Sequence, residues 1–196
     1  HMDAVNIDLK AFTERFYKKL TGSELGPVLD TVRYIHHETD VWLELTTLLI
    51  PGENDSEAEI RAMCEWVVRE VGPEVPMHFT AFHPDYKMRD HPPTPPATLA
   101  RAREIALASG VRYAYTGNVH DKAGQSTYCH HCGERLIGRD WYTLSEWNLD
   151  AAGHCRRCGT PCAGVFAEAP GEWGARRLPV QPRMFARDTA AADRGG

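Results

Sequence analysis

Val41-Trp-Leu-Glu-Leu-Thr-Thr-Leu-Leu-Ile50, closed by Pro51-Gly52, is the stretch whose reading decides the fold. The run is too continuously apolar for a strand with one face in water, and Pro-Gly ends it. A strand expected to be buried on both sides belongs to a parallel sheet with helices packed on it. The flanking segments repeat the rhythm. Ser56-Glu-Ala-Glu59 is a capping box opening a helix whose Ile60, Met63, Cys64 and Val67 form the core stripe, ending near Gly72. Val75 to Phe82 reads as the next strand, followed by the rigid loop His91-Pro-Pro-Thr-Pro-Pro96. A helix over Thr98 to Ser109 and a strand over Val111 to Tyr115 come after it. Upstream, Ala4 to Lys10 alternates Val5, Ile7 and Leu9 with Asn6, Asp8 and Lys10, the pattern of a strand. Residues 12–20 carry Phe12, Phe16 and Leu20 on one helical stripe stopped by Gly22. Leu25 to His37 forms a second helix with Val28, Leu29, Val32 and Ile35 inward. Strand and helix in alternation imply an α/β fold: about four parallel βα units, an open sheet or half of a TIM-type barrel.

In such folds chemistry gathers at the carboxyl ends of the strands. The groups placed there are Asp8 and Lys10, Thr46 and Thr47 with the loop Pro51 to Asp55, His78 with His83 to Tyr86, and Gly117-Asn118-Val119-His120. Each has a plainer reading: Asp8 and Lys10 as a solvated strand face, Asn54-Asp55 as a helix cap, Gly117-Asn118 as a turn. Together they suit a polar ligand bearing an amine, a carboxylate and hydroxyls. Glu44 is the most suggestive single residue. A carboxylate on an apolar strand must be paired or functional, and Lys10 on the neighbouring strand is an available structural partner. Asp8, Lys10, Glu44, His78 and His83 are the groups available for acid/base work.

Cys129-His-His-Cys132 and Cys155-Arg-Arg-Cys158 are two C-x-x-C pairs separated by roughly twenty residues. Each is followed by a glycine that lets the backbone turn into a tight knuckle. Four thiolates from two knuckles make a closed tetrahedral site suited to a structural zinc ion. The alternatives are two disulfides, free thiols, or a mixed or iron-bearing site drawing on Cys162, His130, His131 or His154. Cys64 reads as a small core residue. Between the knuckles, Leu136, Ile137, Trp141 and Tyr142 are expected to cover the metal lobe and dock it on the sheet.

Composition bounds the classes. The chain has 196 residues, long enough for one substantial core and a small metal-held lobe. A formal net charge of −5 with no basic block gives no electrostatic footprint for nucleic acid. There is no apolar run of membrane-spanning length and no signal-peptide pattern, so the reducing cytoplasm is the expected compartment. His1-Met2 has the look of a cloning scar, which leaves open whether the natural protein starts there.

Several ordered motifs carry a resemblance. Asn6-Ile-Asp-Leu-Lys10-Ala-Phe, Leu43 to Asp55, Pro76 to Tyr86, Tyr115-Thr-Gly-Asn-Val119 and the cysteine ribbon resemble the C-terminal half of AmmeMemoRadiSam-system radical S-adenosylmethionine enzymes, relatives of the pyruvate formate-lyase activating enzymes. The resemblance runs from about residue 3 to about residue 167. It implies a partial barrel in which Asp8, Lys10 and His78 contact S-adenosylmethionine, with Thr46 and Asn118 on the same rim. It also implies a cluster motif C-x-x-x-C-x-x-C in a different half of the barrel. Cys155-x-x-Cys158-x-x-x-Cys162 has those spacings reversed and lies within the ribbon, so no [4Fe-4S] cluster is expected on this chain and no radical chemistry from it alone.

The expected organisation is a half-barrel over 3–120, a zinc ribbon over 121–178 and a flexible tail over 179–196. The expected function is binding of S-adenosylmethionine or a related small polar ligand at the strand ends. The expected partner is a complementary N-terminal half or a second copy of the chain, because a half-barrel leaves strand edges unpaired. Two other readings remain: a stand-alone zinc-containing biosynthetic enzyme using acid/base groups of the same rim, and a zinc-ribbon interaction module.

Overall fold

The computed structural model describes residues 2–171. The expected tail over 179–196 and the last residues of the expected ribbon segment lie outside them. Four strands, β1 (Ala4–Asp8), β2 (Trp42–Leu49), β3 (Met77–Ala81) and β4 (Ala114–Gly117), form one sheet in the order β1-β2-β3-β4, every pair parallel. Helices α1 (Glu14–Phe16, continued by a π-helical turn over Tyr17–Thr21), α2 (Leu25–Glu38), α3 (Glu57–Val71) and α4 (Pro96–Ala108) connect them. These four parallel βα units are half of the eight that close a TIM barrel. A short α5 (Lys122–Gln125) leads into a second, antiparallel sheet of β5 (Thr127–Tyr128), β6 (Arg135–Asp140) and β7 (Thr143–Trp147). Among the described residues no helix is long and apolar enough to cross a membrane.

β2 departs from the expectation of two buried faces. Leu43, Leu45, Thr47 and Leu49 are buried, whereas Trp42, Glu44, Thr46 and Leu48 are only half-buried. The buried set packs with Ile60, Met63, Cys64 and Val67 of α3, all fully buried, in the main core. The other face carries an indole, a carboxylate and a hydroxyl, and it stays partly open because a half-barrel has no opposite wall of strands to fill it. Continuous hydropathy had concealed a period-2 strand.

Three connections also differ from the sequence reading. The helix expected over 12–20 widens into a π turn, which accommodates two adjacent buried rings, Phe16 and Tyr17, against one core. The Tyr17 hydroxyl accepts from the Lys10 amide at 3.2 Å, and Gly22, with φ of 68°, ends the segment. The capping box is half used. Ser56 Oγ accepts from the Glu59 amide at 3.3 Å, but the Glu59 carboxylate turns away to accept from the Phe12 amide at 2.8 Å. The fourth strand starts at Ala114; before it the Val111 amide is taken by the Ala106 carbonyl at the end of α4 and the Arg112 amide by the Pro73 carbonyl ahead of β3.

Asn54 does not cap the helix, whose N-cap is Ser56. Asn54 is buried, its Oδ1 accepts from the Ile50 amide at 2.7 Å, and its Nδ2 donates to the carbonyls of Lys10 at 2.6 Å and Leu48 at 2.9 Å. One side chain thus ties the ends of β1 and β2 together. Thr47 adds a second tie, donating to the Leu9 carbonyl at 2.7 Å on the helix-covered face. Asn54→Ala leaves one buried and two partly buried backbone groups without this partner and is expected to cost about 1–3 kcal/mol, read as a lowered urea midpoint at unchanged slope.

Candidate metal centre and ligand cavity

The metal centre follows from two copies of one local structure. In the first knuckle the Gly133 amide donates to the Cys129 carbonyl at 2.9 Å and the Cys129 amide to the Glu134 carbonyl at 2.8 Å. In the second, Gly159 donates to Cys155 at 2.8 Å and Cys155 to Thr160 at 2.9 Å. Gly133 and Gly159 both sit at φ of 74°, left-handed backbone that a glycine adopts at no steric cost. The four Sγ atoms of Cys129, Cys132, Cys155 and Cys158 lie within 4.8 Å of one another. Cys129 to Cys158 is 3.6 Å and Cys132 to Cys155 is 3.8 Å.

Those separations decide among the alternatives. A disulfide requires about 2.05 Å, and none of the cysteines is bonded. A tetrahedron of Zn–S bonds of about 2.3 Å has edges of about 3.8 Å, so the donor set fits a closed site for a metal ion such as zinc. His130, His131, His154 and Cys162 stay out of it: His154 lies beside Asp150 at 3.4 Å, and the Cys162 amide donates to the Gly153 carbonyl. Without an ion the thiols are unequal. Thr160, through its hydroxyl and amide, draws the Cys158 pKa down to about 6. At Cys132 the Glu134 amide acts in the same sense, but desolvation and the three neighbouring thiols outweigh it and push the value up to about 12. The Cys158 thiolate forms readily, and Cys132 resists until a cation replaces its proton. Cys64, buried in the main core and pushed up to about 12 by desolvation, is an inert packing residue.

The second feature is a cavity of about 600 Å³ between the open face of the sheet and the ribbon. Parallel register puts Asp8, Thr46, His78 and Tyr115 in one row across β1 to β4, with Asn6 and Glu44 one step toward the strand starts. Glu44 Oε2 accepts from His78 Nε2 at 2.8 Å, and Glu44 Oε1 accepts from Trp42 Nε1 at 3.1 Å. His78 stacks on Tyr115 with centroids 5.1 Å apart at 27°. The Tyr115 hydroxyl pairs with the Thr127 hydroxyl at 2.9 Å, and the Arg139 guanidinium lies over the Tyr115 ring at 5.6 Å. The hydrogen bond to His78 holds the Glu44 carboxyl below its ordinary value of 4.5, against desolvation, which acts the other way. Burial pushes the Tyr115 phenol up.

Of the residues singled out in the sequence, Glu44, His78 and Asn118 line this cavity. Asp8 and Thr46 continue the same row toward β1, where Asp8 pairs with Lys10 at 2.9 Å. Lys10 is therefore not the partner of Glu44; His78, across one strand, is. Thr47 faces the helices, and His83 is exposed in the loop after β3. Asn118, at φ of 59°, donates to the Ala81 carbonyl at 3.2 Å. Trp141 and Tyr142, expected to cover the metal lobe, are exposed at the β6–β7 turn and line the cavity mouth. Leu136 and Ile137 do pack beside Cys129 and Cys155. Sequence reasoning missed Tyr115 and Arg139 as lining residues. Tyr115 stands in the resemblance motif, but only register shows that it faces the ribbon.

No protein-family model matches the chain. It is 42% identical over 159 residues to an uncharacterised protein of Methanocaldococcus jannaschii, an alignment covering 81% of this chain and 47% of that protein. The chain thus spans about half the length of the curated relative it matches. A crystal structure of a domain of pyruvate-formate lyase-activating enzyme from Bacteroides vulgatus superposes with a TM-score of 0.52 at 16% identity, over 59% of this chain and 68% of that one. That likeness is one of fold.

Two outcomes are expected. Purified protein should carry one zinc per chain by elemental analysis, and Cys155→Ser should abolish it while far-UV dichroism from the main sheet persists. Because the folded pKa of Glu44 is lowered, its stabilisation is present above its ordinary value of 4.5 and is lost as pH falls through the lowered value. Glu44→Gln should flatten the acid limb of Tm against pH.

Proposed function

We propose that this chain is the C-terminal half-barrel and zinc ribbon of an activating-enzyme-like radical S-adenosylmethionine protein of the AmmeMemoRadiSam kind. In this reading the strand ends bind S-adenosylmethionine or a closely related polar ligand. The observation that carries it is the register row Asp8–Thr46–His78–Tyr115, a line of acid, hydroxyl, imidazole and phenol across one open sheet face. Asp8, Lys10 and Thr46 supply polar contacts at one end of the row. His78, Tyr115 and Asn118 supply an aromatic surface and an amide at the other, suited to a nucleoside. Zinc in the four-cysteine site is structural, since four thiolates leave no open position for substrate.

Radical cleavage of a sulfonium C–S bond needs an electron, which a [4Fe-4S] cluster supplies when a cluster-bearing half is present. β1 is an edge strand of the sheet, with Ala4, Asn6 and Asp8 exposed. Its free backbone edge suits a further strand, from a complementary half or a second copy of the chain. A second reading has one specific observation in its favour: the Glu44–His78 pair at 2.8 Å resembles an oriented general base, as a zinc-stabilised enzyme without radical chemistry would use.

Calorimetric titration separates the two. Under the leading reading S-adenosylmethionine or S-adenosylhomocysteine binds, and His78→Ala weakens it about tenfold or more. Absence of binding to the wild-type protein, alone and mixed with a polypeptide carrying C-x-x-x-C-x-x-C, would sink it. On mixing, an iron–sulfur absorption band co-migrating with this chain is the expected result.

A further inference from the structure

The ribbon hairpin brings a cation into the cavity that the strand-end row does not account for. Around this hairpin Arg135 is taken by Glu146 and Lys122 by Asp140. Arg139 has no carboxylate partner among the described residues. Its Nη1 donates to the neutral Thr127 hydroxyl at 2.5 Å and to the Gln125 carbonyl at 3.4 Å. Its Nε and Nη2 have no hydrogen-bond partner among the described residues. The guanidinium is half-buried, lies over Tyr115 at 5.6 Å, and lines the same cavity as the Glu44–His78 pair.

A guanidinium fixed in this way is a preformed anion receptor. The Tyr115 ring lies beneath it, the bonds from Nη1 restrain its rotation, and the Nε–Nη2 edge remains for a planar bidentate partner. Glu44 is held by His78 and Trp42 on the sheet side and does not occupy Arg139. Trp141 and Tyr142 at the cavity mouth supply apolar surface for the body of a ligand. We propose that Arg139 forms a second subsite, on the ribbon side of the cavity, that takes the oxyanion of a small planar or aromatic molecule, a carboxylate by preference. The inference rests on the reading of this cavity as a ligand site, but not on S-adenosylmethionine being the ligand.

The test compares a charged probe with its neutral isostere. By saturation-transfer NMR and calorimetry, 4-hydroxybenzoate should bind the zinc-loaded wild-type protein about ten- to a hundredfold more tightly than 4-hydroxybenzamide. Arg139→Gln should reduce the acid to the level of the amide. Arg139→Lys, which keeps the charge and loses the fork, should fall between. Zinc content and far-UV dichroism establish that each variant is folded. Inorganic phosphate in excess identifies the anion: displacement of the probe assigns a site open to phosphate esters, and no displacement assigns a carboxylate site. Equal affinity of wild-type protein for acid and amide, or no binding of either, overturns the proposal, and that comparison needs no variant. Because S-adenosylmethionine is absent from it, failure of the sulfonium-binding reading and failure of the Arg139 subsite give different results.

Discussion

A sheet face bearing an indole, a carboxylate, an imidazole and a phenol can neither be packed like oil nor left as a flat apolar wall. In this chain that face belongs to half a barrel. Strands β1 to β4 bury one side against α3 and α4 and turn the other toward a space that further strands would line in a closed barrel. What stands over part of that space is the cysteine ribbon. The Glu44–His78 contact and the aromatic stack lie within the sheet, but the cavity above them is closed by the ribbon, and the ribbon is built around four sulfurs.

The ribbon illustrates how little apolar surface a metal-held lobe needs. Its own buried cluster is Leu136, Ile137, Leu149, three of the cysteines and Tyr113, which reaches in from the segment before β4. The Tyr113 hydroxyl accepts from the Ala163 amide at 3.0 Å and the Tyr115 hydroxyl pairs with that of Thr127 at 2.9 Å, so hydrogen bonds as well as packing join ribbon to sheet. So small a core would not order three short antiparallel strands by itself. The geometry of the knuckles, with matched glycines and matched amide-to-carbonyl bonds, brings the sulfurs to spacings that a tetrahedral ion fits.

Much of the architecture was legible because its signals are local. Ile60, Met63, Cys64 and Val67 at helical spacing do form one buried stripe, Gly22 and Gly72 do end helices, and both C-x-x-C pairs do meet. The misreadings share a cause: they concern which side of an element faces what. Leu43 to Leu49 has four leucines and no strict alternation, yet its neighbours decide that every second residue is only half-buried and that Glu44 looks into an open cavity. Glu44 stands out in the sequence, but its partner sits diagonally on the next strand, 34 positions away, rather than on the strand that precedes it. Arg139 gave no signal, since a lone arginine among acids reads as a solvated charge until a turn of the chain lays it over Tyr115. Long-range placement of this sort is absent from periodicity.

The position of β6 along the chain has a mechanical result. It begins at Arg135, directly beyond the first knuckle, and its register with β7 carries Arg139 outward from the clamp. The hairpin is in effect a lever whose fulcrum is the sulfur tetrahedron and whose far arm reaches the cavity roof. Rotations at the fulcrum are felt along that arm, and the bonds of Arg139 to Thr127 and Gln125 steady its far end against them.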